Sequence, residues 1–125
     1  MNAAVLIYIS SLLLFGWGVA HLFPTRNVIL GFGEISADNK RIIQMEWITE
    51  GVALIFIGVL VAIVTYLDRT SLVSKAGYWT SFGVLNVLSS ISLFTGFRNS
   101  LIVYKLCPVI FTSSSILIFI GGLVG

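Results

Sequence analysis

"GVALIFIGVLVAIVTYL", residues 51–67, contains no charged side chain and decides the fold class of this chain. Extended back to residue 43, this segment exceeds the ~20 mostly apolar residues that a helix needs to cross a membrane. Three further segments qualify, at roughly 3–23, 77–97 and 101–124. Lipid offers no hydrogen-bond partners to backbone N–H and C=O groups, and a helix pairs these groups within one segment. Each segment is therefore predicted to be helical. The sequence therefore predicts an all-α membrane protein, an up-down bundle of four transmembrane helices.

The composition supports one small membrane domain over residues 1–125. Of the 125 residues, 58% are hydrophobic and 10% are charged, whereas a soluble domain carries about 25% charged residues. We therefore expect a multi-pass protein of the cell membrane. The net charge of +2 is too small to indicate a nucleic-acid partner. A single cysteine, Cys107, excludes an internal disulfide.

The first connection, residues 24–41, is the longest of the three. Ser36 is a plausible N-cap, and Asp38 would lie in the first turn, where the helix dipole favours an anion. The second long helix is therefore predicted to begin near Ala37, two turns before the lipid. We expect residues 24–36 to form either a lid over one end of the bundle or an ordinary interfacial loop.

Basic residues predict the orientation. The first and third connections share one side of an up-down bundle and carry five Lys and Arg residues, whereas the other side carries two. The five are Arg26, Lys40, Arg41, Arg98 and Lys105, and the two are Arg69 and Lys75. The positive-inside rule then places both termini outside the cytoplasm.

Polar chemistry is concentrated at the same face of the predicted bundle. The residues are His21, Glu46, Glu50, Arg98, Tyr104, Lys105 and Cys107. Glu46 and Glu50 are four residues apart and share a helix face about 6 Å from one another along the axis. A charge as deep as Glu50 costs about 2.5–3.5 kcal/mol. Glu50 is therefore predicted to face the interior, paired with Lys105 or His21 or else protonated.

These residues leave several interpretations open. Glu50 either completes a salt bridge that fixes helix register or belongs to a ligand, proton or substrate site. One histidine and two carboxylates are the donors of a facial triad, but no second histidine or metal spacing is present, so no metal is predicted. Acid–base chemistry would use the same groups, and neither a catalytic residue nor a cofactor can be assigned. The candidates for ligand binding or proton handling are His21, Glu46, Glu50, Lys105, Tyr104 and Asn86.

The segment "GWGVAHLFP", residues 16–24, resembles the end of the first helix in the DoxX-like group of small bacterial membrane proteins. In that group, a glycine-containing first helix often ends in a basic residue before an apolar pair, as in His21-Leu22-Phe23. The resemblance covers this helix and the four-span pattern. "MEWITEG", residues 45–51, has no counterpart there, so redox-related roles of that group are not carried over. The chain is more distantly similar to sterol-isomerase-like bundles.

The sequence favours a small integral membrane protein that binds a small or lipid-like molecule in a polar pocket near one membrane face. One alternative is an accessory subunit of a larger membrane complex. Another is a proton- or ion-coupled small carrier that acts as a dimer. The expected partners are membrane lipid and either further copies of the chain or a larger membrane complex.

Overall fold

The computed structural model describes residues 2–98 and 100–124, which contain helices and no strand. Five α-helices and a C-terminal π-helical segment follow one another. Their bounds are α1 Ala3–Leu22, α2 Thr25–Gly31, α3 Ala37–Asp68, α4 Leu72–Thr95, α5 Ile102–Ile118 and the π-helical segment Phe119–Val124. The all-α prediction is confirmed.

Three of the described helices are long and apolar enough to cross a membrane. They are α1, α3 and the continuous helix Ile102–Val124, which joins α5 to the π-helical segment. The fourth predicted span corresponds to α4, which falls outside this group. Serine, threonine and asparagine side chains dilute the apolar residues along α4.

The second long helix begins where the sequence predicts. The Ser36 hydroxyl accepts a hydrogen bond from the Asn39 amide at 3.1 Å, and Asp38 lies in the first turn of α3. With 32 residues, α3 is about 48 Å long. Within residues 24–36, which the sequence leaves open between a lid and an interfacial loop, Thr25–Gly31 forms the short helix α2. Gly33 follows it with a positive φ of 70°, a conformation that glycine adopts without strain.

Glycines bring α1 and α3 into close antiparallel contact. A Cβ on Gly18 would lie 2.7 Å from the carbonyl oxygen of Gly51, and one on Gly58 would lie 2.8 Å from that of Ser11. The Ser11 hydroxyl donates to the Gly58 carbonyl at 2.6 Å. Small residues with hydroxyl hydrogen bonds are typical of helix contacts in membranes. We call this contact the α1–α3 seam.

The other long helices complete a ring, since α3 also contacts α4, α4 contacts α5, and α5 contacts α1. The α4–α5 contact is polar. The Asn86 amide donates to the Ser115 hydroxyl at 2.7 Å, and the hydroxyls of Ser89 and Thr112 are 2.6 Å apart. The Ser10 hydroxyl donates to the Ser114 carbonyl at 2.9 Å and connects α1 to α5. Buried aliphatic and aromatic side chains from all four helices fill the centre of the ring.

The two ends of the ring differ. The closed end is where α3 turns into α4 and the chain finishes. There Thr65 and Tyr78 hydroxyls are 2.8 Å apart, and the Ser74 hydroxyl donates to the Val64 carbonyl at 3.0 Å. Arg69 donates to the Gly121 carbonyl at 3.0 Å. The opposite end, which we call the mouth, is where His21, Trp47, Glu50 and Tyr104 lie.

Candidate functional site

His21 lies in the last turn of α1, held against α3. Its ring stacks on the Trp47 indole with the centroids 3.8 Å apart and the planes 16° from parallel. The Trp47 indole N–H donates to the main-chain carbonyl of His21 at 2.8 Å. The same tryptophan therefore fixes both the backbone and the ring of His21, and the α1–α3 seam brings the two helices close enough for this contact.

Glu50 lies one turn further along α3 and approaches the same imidazole. Its Oε2 is 3.5 Å from His21 Nε2, so the structure brings together one of the two pairs that the sequence predicts for Glu50. The distance allows an ion pair when His21 is protonated, but the two atoms do not meet in hydrogen-bond geometry. His21 Nε2 is buried and has no hydrogen-bond partner among the described residues. The Glu50 side chain is 40% exposed.

A cavity of about 160 Å³ lies beside this pair. All four long helices or their caps contribute to its wall. The lining residues are His21, Trp47, Glu50, Ile91, Ser92, Thr95, Gly96, Tyr104 and Cys107. The wall therefore combines an imidazole and a carboxylate with hydroxyl groups, and it contains no Lys or Arg among the described lining residues.

Pro108 removes the usual hydrogen-bond donor of a backbone carbonyl close to the cavity. Proline has no N–H, so the Tyr104 carbonyl, four residues earlier in α5, loses its usual intrahelical donor. This carbonyl faces Gly96, since a Cβ there would lie 3.2 Å from the Tyr104 oxygen. Gly96 and Tyr104 both line the cavity. The Tyr104 carbonyl therefore lies close to the cavity.

Three of the predicted candidates lie outside the cavity: Glu46, Lys105 and Asn86. Glu46 is exposed and lies in a cleft beside the cavity. Lys105 Nζ is 5.9 Å from the centroid of the Phe97 ring, and it forms no ion pair with the acidic residues that the structure describes. The Asn86 amide bonds to the Phe82 carbonyl and to Ser115. His21, Glu50 and Tyr104 are the predicted candidates that meet.

Trp47 is the residue whose role sequence reasoning missed. Its position between two glutamates is typical of an interfacial anchor. The stacking on His21 and the edge-on contact with Tyr104, at a centroid distance of 6.1 Å, place it instead at the centre of the site. The sequence does contain a signal for this role, because Trp47 and Glu50 are three residues apart and share a helix face.

Comparisons with known proteins give no match for this chain: no family model matches it, and no curated protein or solved structure matches significantly. The DoxX-like resemblance stays a prediction. Within residues 2–98 and 100–124, no group of three or more His, Cys, Asp or Glu side chains could hold a metal ion.

Proposed function

We propose that the chain is an integral membrane protein of the cell membrane, an up-down bundle in which α4 is the fourth span beside α1, α3 and α5. In support, α4 has 24 residues, which is about 36 Å. Its exposed residues include Val84, Val87 and Phe94. Asn86 and Ser89, which dilute its hydropathy, hydrogen-bond to α5.

The mouth faces the cytoplasm in this proposal. The five basic residues that the sequence assigns to the first and third connections lie at or near the same end as His21 and Glu50, and the positive-inside rule places that end inside. A reporter fused after residue 125 is then expected to read as non-cytoplasmic. A cytoplasmic reading would invert the orientation and leave the site itself unchanged.

The function that the geometry supports best is binding of a small or lipid-like molecule in the cavity at the mouth. The observation that carries this proposal is His21 Nε2, which is buried beside the cavity without a hydrogen bond among the described residues. A buried polar atom without a partner costs about 1–3 kcal/mol. A bound molecule with a polar group beside His21 would recover that cost.

The size of the cavity restricts the polar group. At about 30 Å³ for each water molecule in the liquid, a cavity of about 160 Å³ has room for roughly five water-sized groups. A polar head of a few heavy atoms fits, whereas a nucleotide does not. Glu50 would orient that head, since its carboxylate lies 3.5 Å from the imidazole at the cavity wall.

The test compares Glu50→Gln with Glu34→Gln, a charge-matched control in the exposed segment before α3. Mass spectrometry of organic extracts from each purified protein would reveal molecules retained from the membrane. We expect a molecule retained by the wild type and by Glu34→Gln, and at least a tenfold loss in Glu50→Gln. Equal retention by all three proteins, or by none, would contradict the proposal.

The chain has one histidine, so isotope-labelled His21 gives a single imidazole signal in a detergent micelle. Delipidation is expected to shift that signal in the wild type and to leave it in place in Glu50→Gln. The shift would place the retained molecule beside His21 rather than on the lipid-facing surface.

A further inference from the structure

The helices α3 and α4 are close together at the closed end and separate toward the mouth. Near the closed end, the Thr65–Tyr78 and Ser74–Val64 hydrogen bonds join them. Toward the mouth, a cleft of about 500 Å³ opens between them, lined by α3 residues within 42–53 and α4 residues within 88–92. The cleft lies on the outer surface of the ring, because Ala53 and Ile91 are exposed.

The cleft continues into the polar cavity. Four residues line both spaces: Trp47, Glu50, Ile91 and Ser92. Beyond them, the cleft wall is apolar in the direction of the closed end, at Ala53 and Leu88, and Ile42 and Ile43 lie at its other end. The combined space is therefore polar beside His21 and apolar toward the middle of the proposed spans.

We propose, on the basis of the function proposed above, that the bound molecule is a single-chain amphiphile with a small, hydrogen-bond-donating, non-anionic head. The head occupies the cavity beside His21 and Glu50. The alkyl chain lies in the cleft between α3 and α4, through which the molecule enters sideways from the bilayer.

The size of the two spaces supports a molecule with two parts. Pockets for small molecules have volumes of about 300–1,000 Å³. The cavity, at about 160 Å³, falls below that range, and the cleft, at about 500 Å³, lies within it. A ligand confined to the cavity would forgo most of the available apolar contact. An alkyl chain in the cleft would add contact with Ala53 and Leu88.

The charges around the cavity and the cleft determine which head groups can bind. Glu46 and Glu50 line the cleft, and no Lys or Arg does so among the described residues. The Tyr104 carbonyl, which lacks its usual donor because of Pro108, lies close to the cavity. A carboxylate or phosphate head would meet like charges in a medium that screens them poorly. An ammonium or hydroxyl head can donate to these acceptors.

The depth of the site matches the way in which such a molecule lies in a bilayer. Glu50 precedes the apolar run of residues 51–67, so the polar end of the site is at the boundary between headgroups and hydrocarbon. Ala53 and Leu88 lie further toward the closed end, where the alkyl chain of an amphiphile is found. The amphiphile therefore keeps its ordinary orientation when it moves into the cleft.

The experiment uses dodecylamine, dodecanol and dodecanoate, each with a diazirine at the same chain carbon, and the full chain in nanodiscs. After illumination, mass spectrometry maps the labelled residues. We expect the amine and the alcohol to label the cleft around Ala53 and Leu88 at least tenfold more than the carboxylate does. Equal labelling by all three heads would overturn the proposed head chemistry. A separate pocket lies between α2 and the start of α5, with Val28 and Leu101 in its wall. Labelling of these residues instead would overturn the proposed route.

A bulky residue in the cleft tests the route independently. Ala53→Trp fills the cleft on an exposed face of α3, and Val52→Trp places the same side chain on the neighbouring exposed position outside it. We expect Ala53→Trp to reduce labelling by dodecylamine at least tenfold and Val52→Trp to leave it unchanged. Equal labelling of the two variants would overturn the inference.

Ethanolamine, which has a head and no chain, separates this inference from the proposed function. Both tryptophan variants are expected to keep the shift of the His21 signal when ethanolamine is added. If Glu50→Gln abolishes that shift while Ala53→Trp leaves amphiphile labelling intact, the cavity binds a ligand but the cleft does not. If Glu50→Gln changes neither the His21 shift caused by ethanolamine nor the labelling by the amphiphiles, the proposed function itself fails.

Discussion

The closed end and the mouth use their polar groups in opposite ways. At the closed end, the hydroxyls of Thr65, Ser74 and Tyr78 each have a hydrogen-bond partner, and Arg69 donates to a main-chain carbonyl. At the mouth, His21 Nε2 is buried without such a partner in the described structure. Satisfied polar groups join helices, whereas an unsatisfied one beside a cavity is available to a ligand. The closed end therefore stabilises the fold, and the mouth is the proposed binding site.

The largest effect is expected from Tyr78→Ala at the closed end. The Tyr78 side chain is fully buried, packs on Gly122 and bonds to Thr65. Removing a buried aromatic side chain costs about 3–5 kcal/mol. Thermal unfolding in detergent should show a large loss of stability. Tyr66→Ala, at an 82% exposed tyrosine of α3, is the control and should change little. Similar melting temperatures for the two variants would remove the structural role assigned to the closed end.

A smaller loss of stability is expected from a substitution in the α1–α3 seam, which holds together the two helices that carry His21 and Glu50. Gly18→Leu places a side chain where Cβ alone would be 2.7 Å from the Gly51 carbonyl, and overpacking of this kind costs about 1–3 kcal/mol. Gly16→Leu is the matched control, because nothing lies within 4 Å of its Cβ position.

The same pair of variants tests whether the seam positions the site. Gly18→Leu should separate His21 from Trp47 and change the ring-current shift of the imidazole signal, whereas Gly16→Leu should not. An unchanged His21 signal in Gly18→Leu would mean that the stacking survives without the close helix contact.

The sequence predicts this arrangement where a local rule applies. Ser36 identifies the start of α3 because an N-cap depends only on residues within one turn. The depth of Glu50 predicts pairing with Lys105 or His21, or else protonation, because a charge at that position needs a partner. The structure places His21 beside it. The first inference uses spacing along one helix. The second uses the free-energy cost of a charge in lipid.

The rotation of each helix could not be predicted in the same way. Tyr104 and Lys105 are neighbours, so their side chains point about 100° apart around α5. Tyr104 lines the cavity and Lys105 lies near Phe97. The contacts of the whole ring decide which of the two faces inward. Trp47 was missed for the same reason, since its stacking on His21 depends on how closely the glycines let α1 approach α3.

The third prediction concerns the hydrogen bond between Thr65 and Tyr78, the clearest example of a satisfied pair. Hydrogen bonds between membrane helices contribute about 0.6 kcal/mol on average and about 1.7 kcal/mol at most. A double-mutant cycle of Thr65→Val and Tyr78→Phe should give a coupling energy in this range. Thr65 also bonds to the Val61 carbonyl, and the cycle removes that contribution. A coupling of zero would show that the Thr65–Tyr78 hydrogen bond does not stabilise the closed end.

The smallest effect on stability is expected from Glu50→Gln at the mouth, below about 1 kcal/mol. The carboxylate is 40% exposed, and its approach to His21 at 3.5 Å lacks hydrogen-bond geometry. Partly exposed ion pairs contribute about 0.2–1 kcal/mol, and glutamine keeps the shape of the side chain. A salt bridge that fixes helix register would behave differently, because breaking a buried pair costs about 3–5 kcal/mol.

The delipidated protein is the sample on which this prediction must be measured, since a retained molecule would add its own stabilisation to the wild type. We expect Glu50→Gln and wild type to melt within a few degrees of one another after delipidation and to differ more before it. That pattern would assign Glu50 to ligand binding rather than to a salt bridge that stabilises the fold. A loss after delipidation as large as that of Gly18→Leu would instead make the His21–Glu50 pair part of the fold, and the contrast between the mouth and the closed end would disappear.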